Sequence, residues 1–149
     1  MKLSPLKSLT LALGLVAVPG LLISQEVTPT EVPAEEQSEE APWLKVYFES
    51  GSSRISADQV ATLDRAVRTF REGDPFVMIV AGGADKVGDP AVNLNLSLLR
   101  ATEVATALTE RGIPIERLQV LGRGNSELEV NTAEGVPEAE NRVVEISWR

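Results

Sequence analysis

A carboxylate and a guanidinium stand at the two ends of one short stretch, GGADKVGDPAVNLNLSLLRA, which spans residues 82–101. Asp85 lies near its start and Arg100 near its end. A carboxylate accepts hydrogen bonds from an ammonium group, and a planar guanidinium matches the two oxygens of a carboxylate, so together they suit the zwitterionic centre of an amino acid. The two charges could instead pair with each other, or Arg100 could pair with Glu103, as a structural ion pair.

The pattern around this pair predicts a strand that leads through a loop into a helix. Residues 76–82, FVMIVAG, form a continuous apolar run that is typical of a central strand covered on both faces. Asp89 and Pro90 are typical of an N-cap and a first helical residue, and we expect this helix to run to about Arg111, before Gly112. The loop between strand and helix then lies at the carboxyl end of the sheet, where open α/β sheets bind ligands.

On a helical wheel, this helix shows an apolar core stripe with a polar ridge beside it. The predicted stripe contains Leu94, Leu98, Ala101, Val104, Ala105 and Leu108. Asn93, Ser97 and Arg100 form the ridge at its edge. This placement directs the guanidinium of Arg100 toward the loop that carries Asp85, so we expect both charges to meet at one rim.

The remaining elements complete a mixed α/β architecture. WLKVYFE, residues 43–49, alternates apolar and polar residues as a half-buried strand does. Ser56 and Gln59 have the spacing of a capping box for a helix from Ala57 that ends at Gly73 and Pro75. Its predicted buried stripe contains Val60, Leu63, Val67 and Phe70. Two more strands, within IERLQVLG and NRVVEISW, give an α+β sandwich with a mixed sheet in βαβαββ order and helices on one or both faces.

The segment before Trp43 reads as an export signal and a linker. Residues 1–24 combine two lysines with a short apolar run, which is typical of a signal peptide, and an uncleaved membrane anchor is the alternative. Residues 25–42 are acidic and rich in proline, which predicts a disordered linker that spans at most about 60 Å when extended. Residues 43–149 are the predicted folded domain, placed in the periplasm or cell envelope, with membrane contact only through an uncleaved N-terminal segment.

Composition excludes several classes of function. The chain carries a net charge of −8 and only 4% aromatic residues, which argues against nucleic-acid partners. Histidine and cysteine are both absent, which removes thiolate nucleophiles, histidine general bases and the usual zinc ligands. Asp85, Asp89, Asn93 and Asn95 lack the spacing of a calcium loop, so we expect no metal and no cofactor.

The spacing G-x-x-D-x-x-G-x-x-x-x-N-x-x-L-S-x-x-R-A resembles the signature of the OmpA-like peptidoglycan-binding domain, the OmpA/MotB/Pal family. The matching residues are Gly82, Asp85, Gly88, Asn93, Leu96, Ser97, Arg100 and Ala101. VYFESGSSRI, RGIPIERLQVLGRG and NRVVEI resemble other segments of the same family, so the resemblance covers nearly all of residues 43–149.

The resemblance implies non-catalytic binding of peptidoglycan through the diaminopimelate residue of its stem peptide. It assigns the ligand ammonium to Asp85 and the carboxylate to Arg100, with Asn93 and Arg142 as further contacts. Gly82, Gly88 and Ser97 would support the loop. Asn93 could instead bond local backbone, and Arg142 could form an ion pair at the edge of the core.

Two positions depart from the family pattern. Gly83 and Ala84 replace an aromatic or histidine residue and a threonine, which predicts a more flexible loop with fewer side-chain hydrogen bonds. Val143 replaces the second arginine of the closing motif. The predicted function is tethering to the cell wall, with another envelope protein as an additional partner, and the alternative is a periplasmic protein-interaction module that has lost wall binding.

Overall fold

The computed structural model describes residues 43–149, and the predicted signal and linker, residues 1–24 and 25–42, lie outside the described residues. The strands are β1 Trp43–Tyr47, β2 Met78–Gly82, β3 Leu118–Gly122 and β4 Val143–Trp148. The α-helices are α1 Val60–Gly73 and α2 Pro90–Glu110, and short 3-10 turns cover Ala57–Gln59 and Ile115–Arg117. The predicted βαβαββ order is confirmed.

The four strands form one mixed sheet in the order β1-β4-β2-β3. The strand β4 pairs antiparallel with both β1 and β2, while β2 and β3 run parallel on either side of the α2 crossover. Because β2 and β3 are parallel, their carboxyl ends meet at one edge of the sheet together with the loops that follow them.

Both helices pack on the same face of the sheet. Residues of α1 and α2 share one apolar cluster with the inward side chains of the strands. This cluster contains Val46, Phe48, Leu63, Ala66, Val67, Met78, Val80, Ala101, Val104, Leu108, Ile113, Val144 and Ile146. On the opposite face Ala81 is buried and Ile79 is half-buried, so β2 is covered on both sides as predicted, although Phe76 lies outside the strand and is exposed.

The predicted capping box at the start of α1 is wrong. The side chain of Ser56 makes no capping bond, and α1 begins at Val60 after the 3-10 turn. The carboxamide oxygen of Gln59 accepts instead from the backbone N–H of Tyr47 at 3.0 Å, so this side chain joins the turn to β1. Val60 is exposed, and Ala66 is buried with Leu63 and Val67.

The N-terminus of α2 forms as predicted. Pro90 is its first residue, and the carboxylate of Asp89 accepts from the backbone N–H groups of Ala91 at 2.8 Å and Val92 at 3.2 Å. The N–H groups of the first helical turn have no partner within the helix, and this cap satisfies two of them. Asp89 therefore acts as the N-cap that its position before Pro90 predicts.

The predicted core stripe of α2 is wrong in its first half. Leu94 and Leu98 are about half exposed, whereas the predicted ridge of Asn93, Ser97 and Arg100 is buried. The cause is the glycines beneath the helix, because a Cβ on Gly82 would lie 1.9 Å from the carbonyl oxygen of Ser97. The backbone of α2 therefore lies directly against the strand ends, with no room for leucine side chains between them.

Among residues 43–149, no helix combines the length and the apolar character that crossing a membrane requires.

Substitution of Gly82→Ala is expected to lower the free energy of unfolding by about 3 kcal/mol or more, because α2 must move away from β2. Gly73→Ala is the matched control, since a Cβ there meets no atom within 4 Å. We expect the control to stay within about 1 kcal/mol of the parent. Urea denaturation of the full chain, followed by circular dichroism, measures both, and equal midpoints for Gly82→Ala and the parent would contradict the close approach.

Candidate functional site

Four segments meet at the carboxyl end of the parallel strands. The loop 83–89 follows β2, the first turns of α2 lie beside it, the turn 48–55 follows β1, and residues 123–142 connect β3 to β4. We call the last of these the closing segment. Three of them supply the charged side chains of one cluster, Asp85, Arg100 and Arg142, and the turn 48–55 supplies backbone carbonyls that bind the two arginines.

Arg100 is the buried centre of this cluster. Its side chain has no exposed surface, and its three nitrogens donate to backbone carbonyls. The acceptors are Ser52 at 2.8 Å, Gly83 at 3.0 Å and Glu49 at 3.0 Å. The guanidinium also lies over the ring of Phe48, at 5.3 Å from its centroid. One side chain of α2 therefore holds together the turn after β1 and the loop after β2.

The electrostatic state of Arg100 follows from this position. Burial lowers the pKa of its guanidinium to about 10, the nearby carboxylate of Asp85 acts to raise that pKa, and the charge of Arg142 acts to lower it. At neutral pH the group therefore remains protonated. Among the described residues it forms no ion pair, so its charge is held by carbonyl dipoles and the field of Asp85.

Asp85 pairs with Arg142. Its Oδ2 accepts from Nη1 of Arg142 at 3.0 Å, and its carboxylate also receives the backbone N–H groups of Val87 at 3.3 Å and Glu138 at 3.4 Å. Only 8% of the Asp85 side chain is exposed. The loop after β2 and the closing segment are thus connected through one carboxylate.

The predicted direct pairings of Arg100 are both absent from the described residues. Neither Asp85 nor Glu103 forms an ion pair with it, and the expectation that the guanidinium opens onto a rim is wrong, because it is fully buried. The guanidinium does point toward the loop of Asp85, through the carbonyl of Gly83. Helix α2 lies too close to the sheet for its ridge to reach solvent, so the carbonyls of two loops become the partners of Arg100.

The other predicted residues have identifiable structural contacts. The amide of Asn93 donates to the carbonyls of Asp85 at 3.1 Å and Val87 at 3.0 Å, which is the local backbone role given above as its alternative. Ser97 accepts from the N–H of Gly124 at 2.8 Å, which ties α2 to the closing segment. Gly88 has a φ of +88°, a conformation that favours glycine.

The backbone of the loop 83–89 is fixed at its start despite the glycine. The N–H of Gly83 donates to Val143 at 2.7 Å, and the N–H of Ala84 donates to Gly124 at 2.8 Å. A Cβ at position 83 would lie 3.1 Å from the carbonyl oxygen of Asn141, so the neighbouring backbone leaves little space for a larger side chain.

Sequence reasoning missed the part of Asn141 in this site. Its buried amide donates to the carbonyl of Val130 and accepts from the N–H of the same residue, both at 2.8 Å. These two bonds join the middle of the closing segment to its end, directly before β4. The only sequence signal is its position directly before Arg142, inside the NRVVEI stretch.

Arg142 contributes the accessible charge of the cluster. Its Nε donates to the carbonyl of Phe48 at 3.0 Å, and 14% of its side chain is exposed. It lines a shallow pocket of about 240 Å³, which we call the Arg142 pocket. The other lining residues are Tyr47, Phe48, Glu49, Ser56, Asp58, Gln59, Ala139 and Glu140. A small polar group carrying both signs of charge is the kind of ligand that these walls suit.

Comparison with known proteins identifies one family that this chain matches. The model of the OmpA family matches residues 47–142. An outer membrane protein A from Bordetella avium is 31% identical over 139 residues, which cover 92% of this chain and 70% of that protein. A peptidoglycan-associated lipoprotein from Rhizobium meliloti is 31% identical over 80 residues, covering 54% of this chain and 46% of the relative, so the chain spans less than half of that protein.

The fold has a counterpart among solved structures. The crystal structure of the peptidoglycan-associated lipoprotein from Burkholderia pseudomallei superposes with a TM-score of 0.66 at 21% identity. The match covers 71% of this chain and 90% of that one. At this level of identity the similarity establishes the mixed sheet with two helices on it, and no residue role.

Replacing Arg100 with alanine is expected to lower the free energy of unfolding by about 3 kcal/mol or more, because one buried and two partly buried carbonyls lose their donor. Arg100→Lys should recover only part of this loss, since one ammonium cannot reach all three acceptors in the same geometry. Arg54→Ala is the control, because Arg54 is exposed and its side chain is outside the cluster, and it should change stability by less than about 0.5 kcal/mol. Chemical denaturation of the full-chain variants measures these changes. A parent-like midpoint for Arg100→Ala would contradict the role of Arg100 in holding the two loops together.

Proposed function

The chain belongs to the OmpA family, and on that premise we propose that its domain binds peptidoglycan without cleaving it and tethers the protein to the cell wall in the periplasm. The observation that carries the proposal is the cluster of Asp85, Arg100 and Arg142 beside the Arg142 pocket. Relatives named for their association with peptidoglycan and the outer membrane support the same assignment.

The proposed ligand is the diaminopimelate residue of the stem peptide. This residue carries a second amino-acid centre at the end of its side chain, so it offers an ammonium and a carboxylate next to each other. The cluster holds two guanidinium groups and one carboxylate, which gives it an excess positive charge for a ligand carboxylate. In this proposal Asp85 receives the ammonium, and the two arginines attract the carboxylate.

The two arginines reach the ligand differently. Arg142 already exposes part of its side chain at the pocket, whereas Arg100 is covered by the turn 48–55. Direct contact with Arg100 therefore requires that this turn moves when the ligand enters. Asn93 acts by fixing the carbonyls on either side of Lys86, and thereby the position of Asp85. Gly82, Gly88 and Ser97 hold the loop in the shape that this contact needs.

Co-sedimentation of the full chain with insoluble peptidoglycan sacculi tests the proposal. Asp85→Asn keeps the size of the side chain but removes its charge, and we expect it to weaken binding by about tenfold to a hundredfold, the worth of a charge-assisted hydrogen bond. Glu103→Gln is the matched control, because it removes one exposed carboxylate of α2 outside the cluster. Its binding should equal that of the parent.

Each other outcome of this experiment has a distinct meaning. Parent-level binding by Asp85→Asn would refute the assigned site, and absence of binding by the folded parent would favour a protein-interaction module. Release of soluble muropeptides would contradict a non-catalytic domain.

The chemistry of the stem peptide gives a separate prediction. Peptidoglycan with lysine in place of diaminopimelate keeps the ammonium at the end of that side chain but lacks the adjacent carboxylate. We expect the parent to sediment with diaminopimelate-type sacculi and to bind lysine-type sacculi at least about tenfold more weakly, since one charge-assisted contact is lost. Equal binding to both would overturn the ligand while leaving wall binding intact.

A further inference from the structure

A groove remote from the Asp85 cluster lies between β1 and α1. Its volume is about 780 Å³, and its walls include Trp43 and Lys45 of β1, Arg65, Arg68 and Glu72 of α1, and Trp148 of β4. We call it the basic groove. The strand β1 is an edge strand of the sheet, so the groove opens at the side of the domain where the chain enters the fold.

The charges of the groove contrast with those of the whole protein. The chain has a net charge of −8, yet the groove has three cationic side chains and one carboxylate in its walls. Lys45 is paired with Glu129, whereas Arg68 is exposed and forms no ion pair with a described residue. A concentration of positive charge in an acidic protein favours an acidic occupant.

The sequence supplies such an occupant next to the groove. Trp43 lines the groove, and the residues immediately before it read EEQSEEAP, positions 35–42. Their four carboxylates are Glu35, Glu36, Glu39 and Glu40, and the segment contains no basic residue. Even in a fully extended chain, Glu40 lies within about 11 Å of Trp43, so at least the nearest of these carboxylates stays within reach of the groove that Trp43 lines.

We propose that the basic groove binds the acidic segment 35–42 of its own chain. Binding within one chain has an effective concentration in the millimolar range for a short connection, so contacts too weak to hold a separate peptide suffice here. The proposed partner of the carboxylates is Arg68, and the exposed ring of Trp43 offers an apolar contact beside it. An acidic partner protein would have to displace this segment.

Docking of this segment changes the reach of the tether. Residues 25–42 span at most about 60 Å when extended, and residues 25–34 alone span about 35 Å. The contact is electrostatic and exposed, so salt weakens it. The proposal therefore makes the distance between the domain and whatever precedes residue 25 depend on ionic strength, and it does so independently of wall binding.

The two tryptophans of the chain, Trp43 and Trp148, both line the basic groove, so intrinsic fluorescence reports on it directly. The test compares acrylamide quenching of the full chain, in mild detergent, with a variant that carries Glu35→Gln, Glu36→Gln, Glu39→Gln and Glu40→Gln. At about 0.01 M salt we expect quenching in the variant to be about twofold stronger, and at about 1 M salt, where the Debye length is about 3 Å, the difference should vanish.

Matched variants separate this contact from a general effect of charge. Arg68→Gln should raise quenching as the glutamine variant does, whereas Arg54→Gln, an exposed arginine outside the groove, should leave it unchanged. Equal quenching of the parent and the glutamine variant at low salt would overturn the proposal. Protection that grows with protein concentration would also overturn it, because the segment would then dock on another chain.

Discussion

Three backbone carbonyls, from two loops that are distant in sequence, depend on the guanidinium of Arg100. The carbonyl of Gly83 is buried and those of Glu49 and Ser52 are partly buried, and a buried acceptor without a partner would cost about 1–3 kcal/mol. Arg100 satisfies all three and stays charged, with its pKa lowered by burial. The turn after β1 and the loop after β2 are fixed relative to each other by this one side chain, and the position of Asp85 follows.

Such a buried arginine is possible because α2 approaches the sheet so closely. Gly82 has no Cβ that would collide with the carbonyl oxygen of Ser97, and Gly122 has none that would collide with Ser97 and Leu98. The first half of the helix therefore buries small or hydrogen-bonding side chains, and only its second half buries apolar ones. The same helix thus combines an ordinary core with the polar foundation of the site.

Charge is distributed unevenly over this acidic protein. At the carboxyl end of the sheet, one carboxylate, Asp85, faces two guanidinium groups and forms an ion pair with that of Arg142, so the cluster as a whole retains positive charge. The basic groove, which lies beside the edge strand β1, is a second region where positive charge exceeds negative charge. The proposals assign a carboxylate to each of them, one from the ligand and the other from the acidic segment of the chain itself.

The sequence by itself determined the order of elements and the N-cap at Asp89, and it singled out Asp85, Arg100 and Arg142 as candidates, since these depend on local patterns and on the spacing of a family motif. It did not determine which charges meet. The pairing of Asp85 with Arg142, the burial of Arg100 and the exposure of Leu94 were decided only by the tertiary structure. The physical reason is that a helical wheel describes one helix alone, whereas the glycines of the neighbouring strands set how near that helix lies and which of its faces is buried.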